Sequence, residues 1–321
     1  MFLNVLYIII GVTLVLWGAD RLTEGASALA RRMSIPEIII GLTIVAAGTS
    51  APELFVSVAS ALKGAPDLAV GNVVGSNIMN TLLIVGVTAM VAPMAIARST
   101  VAKDIPFTVV ASLLLIVLAL DTFASLSIAG NSISRLDGFI LLGGFTLFMA
   151  YTLRMARKGG VEPAADQPAA KAANPWVSAL WIVVGLACLV FGSDLFVDAA
   201  SFVARQLNVS DSIIGLTIVA GGTSLPELAT SVVAARKGRS AMAIGNVIGS
   251  NVFNILAILG LTAVICPMQI GGITIVDLFT MLLSMLIVWL FCYTKLTVAR
   301  WEGALLTLAY IAYGLWLFIN L

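Results

Sequence analysis

The chain has 321 residues, 60% of them hydrophobic and 10% charged, with a formal net charge of +1. Soluble domains carry roughly 25% charged residues, so this composition excludes an ordinary soluble protein, and the near-zero net charge points to no nucleic-acid partner. No histidine is present, which removes imidazole metal ligation and histidine proton relays.

Apolar segments in chain order predict ten membrane-spanning helices, at 3–30, 36–61, 67–92, 104–121, 136–156, 176–204, 211–235, 241–266, 272–294 and 301–320. Each is near the roughly 20 residues that a bilayer core demands. No basic run precedes the first segment, which continues into GADRLTEGASALARRM. It is therefore expected to be a retained helix rather than a signal peptide. The stretch KGGVEPAADQPAAKAANP is rich in alanine and proline and reads as a linker. The expected organisation is a first repeat at 1–157, a cytoplasmic linker at 158–175 and a second repeat at 176–321. Cys188, Cys266 and Cys292 are scattered through apolar segments and read as small core residues.

The two halves say the same thing. GLTIVAAGTSAPEL at 41–54 returns as GLTIVAGGTSLPEL at 215–228, with 12 of 14 residues identical. GNVVGSNIMN at 71–80 returns as GNVIGSNVFN at 245–254, with 7 of 10 identical. Both pairs are displaced by 174 positions, as are Gly11 and Gly185, Asp20 and Asp194, and Glu24 and Asp198. Each half thus holds five spans, and an odd number makes the second half enter the membrane from the opposite side. The expected fold is an all-α integral membrane protein of ten helices in two inverted five-helix repeats. With the N-terminus outside, the inward loops hold 13 of the 17 Lys and Arg residues and the outward loops only Lys63, Arg135 and Arg205. That asymmetry places both termini on the extracytoplasmic side.

Each copy sets a carboxylate, a proline and hydroxyls inside an apolar segment, where an ionisable group is costly and usually functional. Pro52 lacks an N–H and its ring opposes the carbonyl of Gly48, so a kinked or broken helix with freed carbonyls is expected at midplane; Pro226 and Gly222 repeat the arrangement. Glu53 follows Thr49 by four residues, Glu227 follows Thr223, Asn80 follows Ser76 and Asn254 follows Ser250, so each pair shares a helix face. Gly71, Gly75, Gly245 and Gly249 have the small-xxx-small spacing of close helix packing. All the polar groups are oxygen donors, which suits a hard cation, Ca²⁺ or Na⁺; two carboxylates match the charge of one Ca²⁺ or two Na⁺. Asp20 and Asp194, each with a second carboxylate one turn later, fit either an ion path or a structural bond and stand outside the core site.

At these residues the chain closely resembles the calcium/cation antiporter superfamily, and most closely its compact prokaryotic sodium/calcium exchangers. GTSAPEL with GNVVGSN, and GTSLPEL with GNVIGSN, look like the family's two alpha-repeats. The resemblance implies Ca²⁺ export driven by inward Na⁺ movement, with four ion sites around the two glutamates. The ligands it implies are Glu53, Thr49, Ser50 and the carbonyl of Ala46, with Ser76 and Asn80. From the second half it implies Glu227, Thr223, Ser224 and the carbonyl of Ala220, with Ser250 and Asn254. Some members, the potassium-dependent branch among them, carry aspartate where this chain has Asn254, so asparagine resembles the potassium-independent type. The proton-coupled branch has a glycine-asparagine-alanine run before its glutamate, and GTSAPEL departs from it. No cofactor is implied: Ca²⁺ and Na⁺ are substrates, the lipid bilayer is the partner, and the oligomeric state is open, with a monomer sufficient. The alternatives are a proton-coupled Ca²⁺ antiporter, since a buried glutamate can carry protons, and a cation channel. An intramembrane enzyme lacks a Ser/His dyad or a histidine-ligated zinc.

Overall fold

The structure, a computed structural model, describes residues 2–120, 132–157, 174–207 and 220–320. In chain order its helices are α1 (Phe2–Arg32), α2 (Glu37–Thr49), α3 (Ala51–Leu62), α4 (Pro66–Val91), α5 (Thr100–Ala119) and α6 (Arg135–Arg157). The second half continues with α7 (Pro175–Gln206), α8 (Ala220–Thr223), α9 (Leu225–Arg236), α10 (Ser240–Ile265), α11 (Ile275–Lys295) and α12 (Arg300–Asn320). Among the described residues, eight single helices are long and apolar enough to cross a membrane, and the bent pair α2–α3 brings the count to nine where it is taken as one broken span. The expected seventh span, 211–235, is described only from Ala220 onward, so the count of ten extends outside the described residues. The expected linker at 158–175 likewise lies almost wholly outside them.

Burial separates the helices into a centre and a shell. In α4 and α10, which carry the GNVxGSN motifs, 78% and 72% of the apolar stretch is buried, against 22% in α1. The outer helices turn large apolar side chains outward, among them Leu3, Ile9, Leu16, Phe191, Leu308 and Ile311. A face of that kind suits lipid rather than water.

The longest helices, α1 and α7, pack against each other along their length. Small residues at seven-residue intervals make this possible. A Cβ on Gly11 would stand 2.7 Å from the carbonyl oxygen of Gly192, one on Gly18 2.7 Å from that of Gly185, and one on Gly25 2.7 Å from that of Ser178. The backbones therefore touch, as small residues allow inside membranes. Arg21 lies over both Trp17 and Trp181 at the same interface, 5.7 and 5.1 Å from the ring centroids.

The small-residue expectation for the motif helices holds where it is described. A Cβ on Gly249 would meet the Cβ of Ala46 at 2.7 Å, and one on Gly245 the carbonyl of Ile38 at 2.8 Å. The 174-residue offset puts the counterpart partners of Gly71 and Gly75 at about 212–220, almost all outside the described residues.

Two short antiparallel ribbons tie the halves together: β1 (Met94–Ala95) with β4 (Thr297–Val298), and β2 (Ser132–Ile133) with β3 (Met268–Gln269). The helices also contain widened π turns, which apolar patterning does not predict. Such turns occupy Gly41–Val45, Met79–Ile84, Thr100–Asp104 and Phe253–Leu259. Each inserts an extra residue per turn, rotates the remainder of its helix, and belongs to a class that recurs at functional sites. Asn80 and Asn254 both stand near the start of one.

Candidate ion site at the crossing of the repeats

Helix α2 ends at Thr49 and α3 begins at Ala51, with a bend of 45° between them. The residue at the break is Ser50, at φ −82° and ψ 8°, and Pro52 sits in the first turn of α3, where its missing N–H is not needed. Ser224 (φ −93°, ψ 7°) and Pro226 hold the same places before and inside α9. The break is thus where expected, but one freed carbonyl is not directed to the centre: that of Gly222 accepts a hydrogen bond from the hydroxyl of Ser193 in α7. The carbonyl of Ala46 accepts from the Ser50 N–H at 3.0 Å, and the Thr49 hydroxyl oxygen lies 3.4 Å from it. Ala220 opens the short helix α8 at the edge of the described residues.

The short helices α3 and α9 begin at the same buried point, and their carboxylates cross over. Ser224 Oγ donates to Glu53 Oε1 at 3.1 Å, and Ser50 Oγ donates to Glu227 Oε1 at 3.0 Å. Each glutamate is thereby held by the serine of the opposite repeat. Ser250 adds a contact to Glu227 at 3.5 Å, and Ser224 lies 3.4 Å from Ser76. Thr223 stands beside Glu53 and Thr49 beside Glu227. Glu53 and Glu227 are each 1% exposed, so neither reaches water to be screened.

Which buried carboxylates are special is decided by what satisfies them. Asp104 is bound by the Tyr151 hydroxyl at 3.3 Å, Asp277 by Tyr313 at 2.7 Å and Glu302 by the Ala299 N–H at 2.7 Å. Glu53 and Glu227 each keep one oxygen, Oε2, buried with no hydrogen-bond partner. The Oδ1 atoms of Asn80 and Asn254 are in the same condition. Buried acceptors without donors are rare and costly, and a cation is the species that satisfies carboxylate and amide oxygens together.

Four further asparagines belong to this centre that sequence reasoning missed. Asn72 Nδ2 donates to the Glu53 carbonyl at 3.1 Å and to Ser57 Oγ at 3.0 Å. Asn246 does the same for Glu227 and Ser231, at 3.3 and 3.0 Å, and also accepts from Thr49 at 3.2 Å. Asn80 and Asn254 do not touch the carboxylates in hydrogen-bonding terms; Asn80 donates to Asn251 at 3.1 Å and Asn254 to Asn77 at 3.3 Å. The available signal was duplication: GNVVGSNIMN and GNVIGSNVFN each carry three asparagines, and all recur at the 174 offset.

The two outlying acidic pairs differ sharply. Lys237, next to the end of α9, reaches across to α1 and binds Asp20 Oδ1 at 2.5 Å and Glu24 Oε1 at 3.2 Å. Arg21 adds contacts to both carboxylates, at 3.4 and 3.0 Å. Asp194 and Asp198 instead line a cavity of about 460 Å³ that extends past Pro52 and Phe55 to Gly222 and Thr223. Neither is ion-paired among the described residues. Lys63, the 174-offset mate of Lys237, is exposed and equally without an ion pair among them.

Two inverted helical repeats whose broken helices meet at a buried, oxygen-rich centre define a secondary transporter built by internal duplication. Comparison with known proteins agrees. Residues 3–154 and 177–319 match the family model described as "Sodium/calcium exchanger protein". The inner membrane protein YrbG of Escherichia coli (strain K12) is 36% identical, over 98% of this chain and 96% of its own. The sodium/calcium exchanger MaX1 of Methanosarcina acetivorans is 32% identical over 98% of both. The solved structure of the sodium-calcium exchanger NCX_Mj, soaked with Na⁺ and Ca²⁺, superposes with a TM-score of 0.81 at 30% identity, over 97% of each chain. The chain belongs to the sodium/calcium exchanger family.

Proposed function

We propose that the protein exchanges Na⁺ for Ca²⁺ across the membrane by alternating access, the two cations competing for one centre between Glu53 and Glu227. The observation that carries this reading is the group of four buried oxygens without protein partners, two from carboxylates and two from amides. Calcium takes six to eight oxygen ligands in flexible geometry. The proposed set is Glu53, Glu227, Asn80 and Asn254, with the hydroxyls of Thr49, Ser50, Ser76, Thr223, Ser224 and Ser250 and the carbonyls of Ala46 and Ala220. Binding and release of ions, with no bond made or broken, is the whole of the activity proposed. Purified protein in proteoliposomes is expected to accumulate radioactive Ca²⁺ along a Na⁺ gradient. Uptake that follows a pH gradient and ignores Na⁺ would overturn the assignment in favour of proton coupling.

The access state is read from the acidic pairs. The cavity beside Asp194 and Asp198 reaches the centre from one end, while the equivalent place beside Asp20 and Glu24 is bridged by Lys237. The inverted repeat then supplies the second state by exchanging roles, with Lys63 closing on Asp194 and Asp198. These groups are partly exposed and solvent-screened, so the bridge contributes roughly 1 kcal/mol or less. Lys237→Met is accordingly expected to raise cytoplasmic thiol labelling of Ala229→Cys, the 174-offset mate of the cavity-lining Phe55, in a background lacking native cysteines, by about threefold. Unchanged labelling removes Lys237 from the closure.

The same reading places the protein in the inner (plasma) membrane, with repeats at 1–157 and 176–321 joined by a cytoplasmic linker at 158–175. A cysteine at Ala169 is expected to react from the cytoplasm, and one added after Leu321 only from the opposite face, as the distribution of basic residues requires. Cytoplasmic labelling of the C-terminus would reverse the orientation.

A further inference from the structure

We propose that Asn77 and Asn251 are positioning residues that set the polarity of the ion site. Each holds a ligand amide of the opposite repeat so that its oxygen, and not its nitrogen, is left for the cation. The inference rests on the reading of Asn80 and Asn254 as ligands.

A side-chain amide has an acceptor on one prong and two donors on the other. Half a turn about its last bond replaces an oxygen ligand with N–H groups that repel a cation, and the two forms have almost the same shape. Asn80 and Asn254 do not choose between them; their neighbours do. Thr81 donates its hydroxyl hydrogen to the carbonyl of Asn77, 2.7 Å away. A hydroxyl has one hydrogen, so toward Asn251 Thr81 only accepts, and Asn251 presents Nδ2 to it at 3.0 Å. That turns Asn251 Oδ1 toward Asn80, whose Nδ2 donates to it at 3.1 Å. The oxygen of Asn80 is what remains, buried and unpartnered.

The second copy reaches the same end by other means. The counterpart of Thr81 is Ile255, which has no polar side-chain atom. Here Asn77 directs Nδ2 at the sulfur of Met281, 3.8 Å away, and a thioether accepts but never donates. Asn77 Oδ1 therefore accepts from Asn254 Nδ2 at 3.3 Å, leaving the oxygen of Asn254 unpartnered as well. Two chains of hydrogen bonds, ended by chemically different acceptors, produce one outcome. Duplication alone does not account for that, because the terminal acceptors were not duplicated. Sulfur is the weaker acceptor, so Asn80 is held more firmly than Asn254.

The test is the Ca²⁺ dependence of Na⁺-driven uptake in proteoliposomes. Asn251→Leu fills the space but accepts nothing, so Asn80 is free to turn its nitrogen inward. Half-saturating Ca²⁺ is expected to rise about tenfold with the maximal rate within about twofold. Thr81→Val keeps the shape, touches no ligand and removes only the group that orients Asn251; about a threefold rise is expected. A purely packing role would lower thermal stability or maximal rate and leave half-saturation in place. Unchanged half-saturation in Thr81→Val overturns the inference, whether or not Asn251→Leu folds. Glu53→Gln in the same vesicles keeps the two readings apart. Exchange that survives it overturns the ion-site assignment itself. Exchange lost there, with Thr81→Val unmoved, overturns only the polarity set by Asn77 and Asn251.

Discussion

Glu53→Gln, and separately Glu227→Gln, is expected to reduce Na⁺-driven Ca²⁺ uptake by at least about 100-fold while leaving a folded, monodisperse protein. Removing one partner of a buried charge pair costs about 3–5 kcal/mol because the other charge is left uncompensated. Here the other charge is Ca²⁺ facing a single remaining carboxylate, and neither position is open enough for water to make up the difference. Glutamine has the same shape, and its carbonyl oxygen still accepts the hydrogen bond that Ser224 gives Glu53, or that Ser50 gives Glu227. The local fold therefore has no reason to change. The apo protein is expected to be at least as stable as the parent, since two buried like charges become one. The paired measurements are initial Ca²⁺ uptake and the melting temperature in detergent. Uptake above about a tenth of the parent rate in either variant is incompatible with a site that uses both carboxylates equally.

The second large effect lies far from the ions. Gly18→Ala places a Cβ 2.7 Å from the carbonyl oxygen of Gly185, 2.9 Å from the Cβ of Cys188 and 3.0 Å from the backbone nitrogen of Leu189. Two of those three contacts are backbone, so no rotamer change relieves them and α1 and α7 must separate. Because Gly11 and Gly25 make the same kind of contact on either side, separation at Gly18 also loosens the neighbouring turns. Overpacking of this kind costs roughly 1–3 kcal/mol, which corresponds to a fall in melting temperature of about 2–5 °C for a chain of this size. Gly143→Ala is the control. It lies on the exposed side of α6, and an added Cβ meets nothing within 4 Å. There the ordinary preference of helices for alanine applies, and the melting temperature is expected to hold or rise slightly. Equal behaviour of the two variants would mean that the backbone contact between the long helices does not limit stability.

Glu53 and Glu227 were legible in the sequence because an ionisable residue repeated inside apolar segments is costly wherever the chain folds, and the 174-residue offset shows that the cost was kept twice. The break at Ser50 and Ser224 was legible for a related reason: proline restricts its own helix, a local effect that needs no partner. The all-helical membrane fold and the inverted repeat follow from length, apolarity and motif spacing, whereas the exchanger family entered through the resemblance carried by GTSAPEL, GNVVGSN and their second copies.

What the sequence did not disclose is who meets whom across the repeats. The i,i+4 spacing put Ser76 and Asn80 on one face but contained no trace of the π turn that begins at Met79. Nor did it show that each glutamate takes its serine from the opposite half, or that Gly222's freed carbonyl is capped by Ser193 instead of facing the centre. Asp20 and Asp194 hold equivalent places in the two repeats, yet one is bridged by Lys237 and the other lines a cavity. The reason is physical: propensity, patterning and proline act within a helix, whereas hydrogen-bond polarity and ion pairing depend on distances between segments some 150–220 residues apart. Only the packed bundle sets those distances, and with them which buried oxygens keep no hydrogen-bond partner.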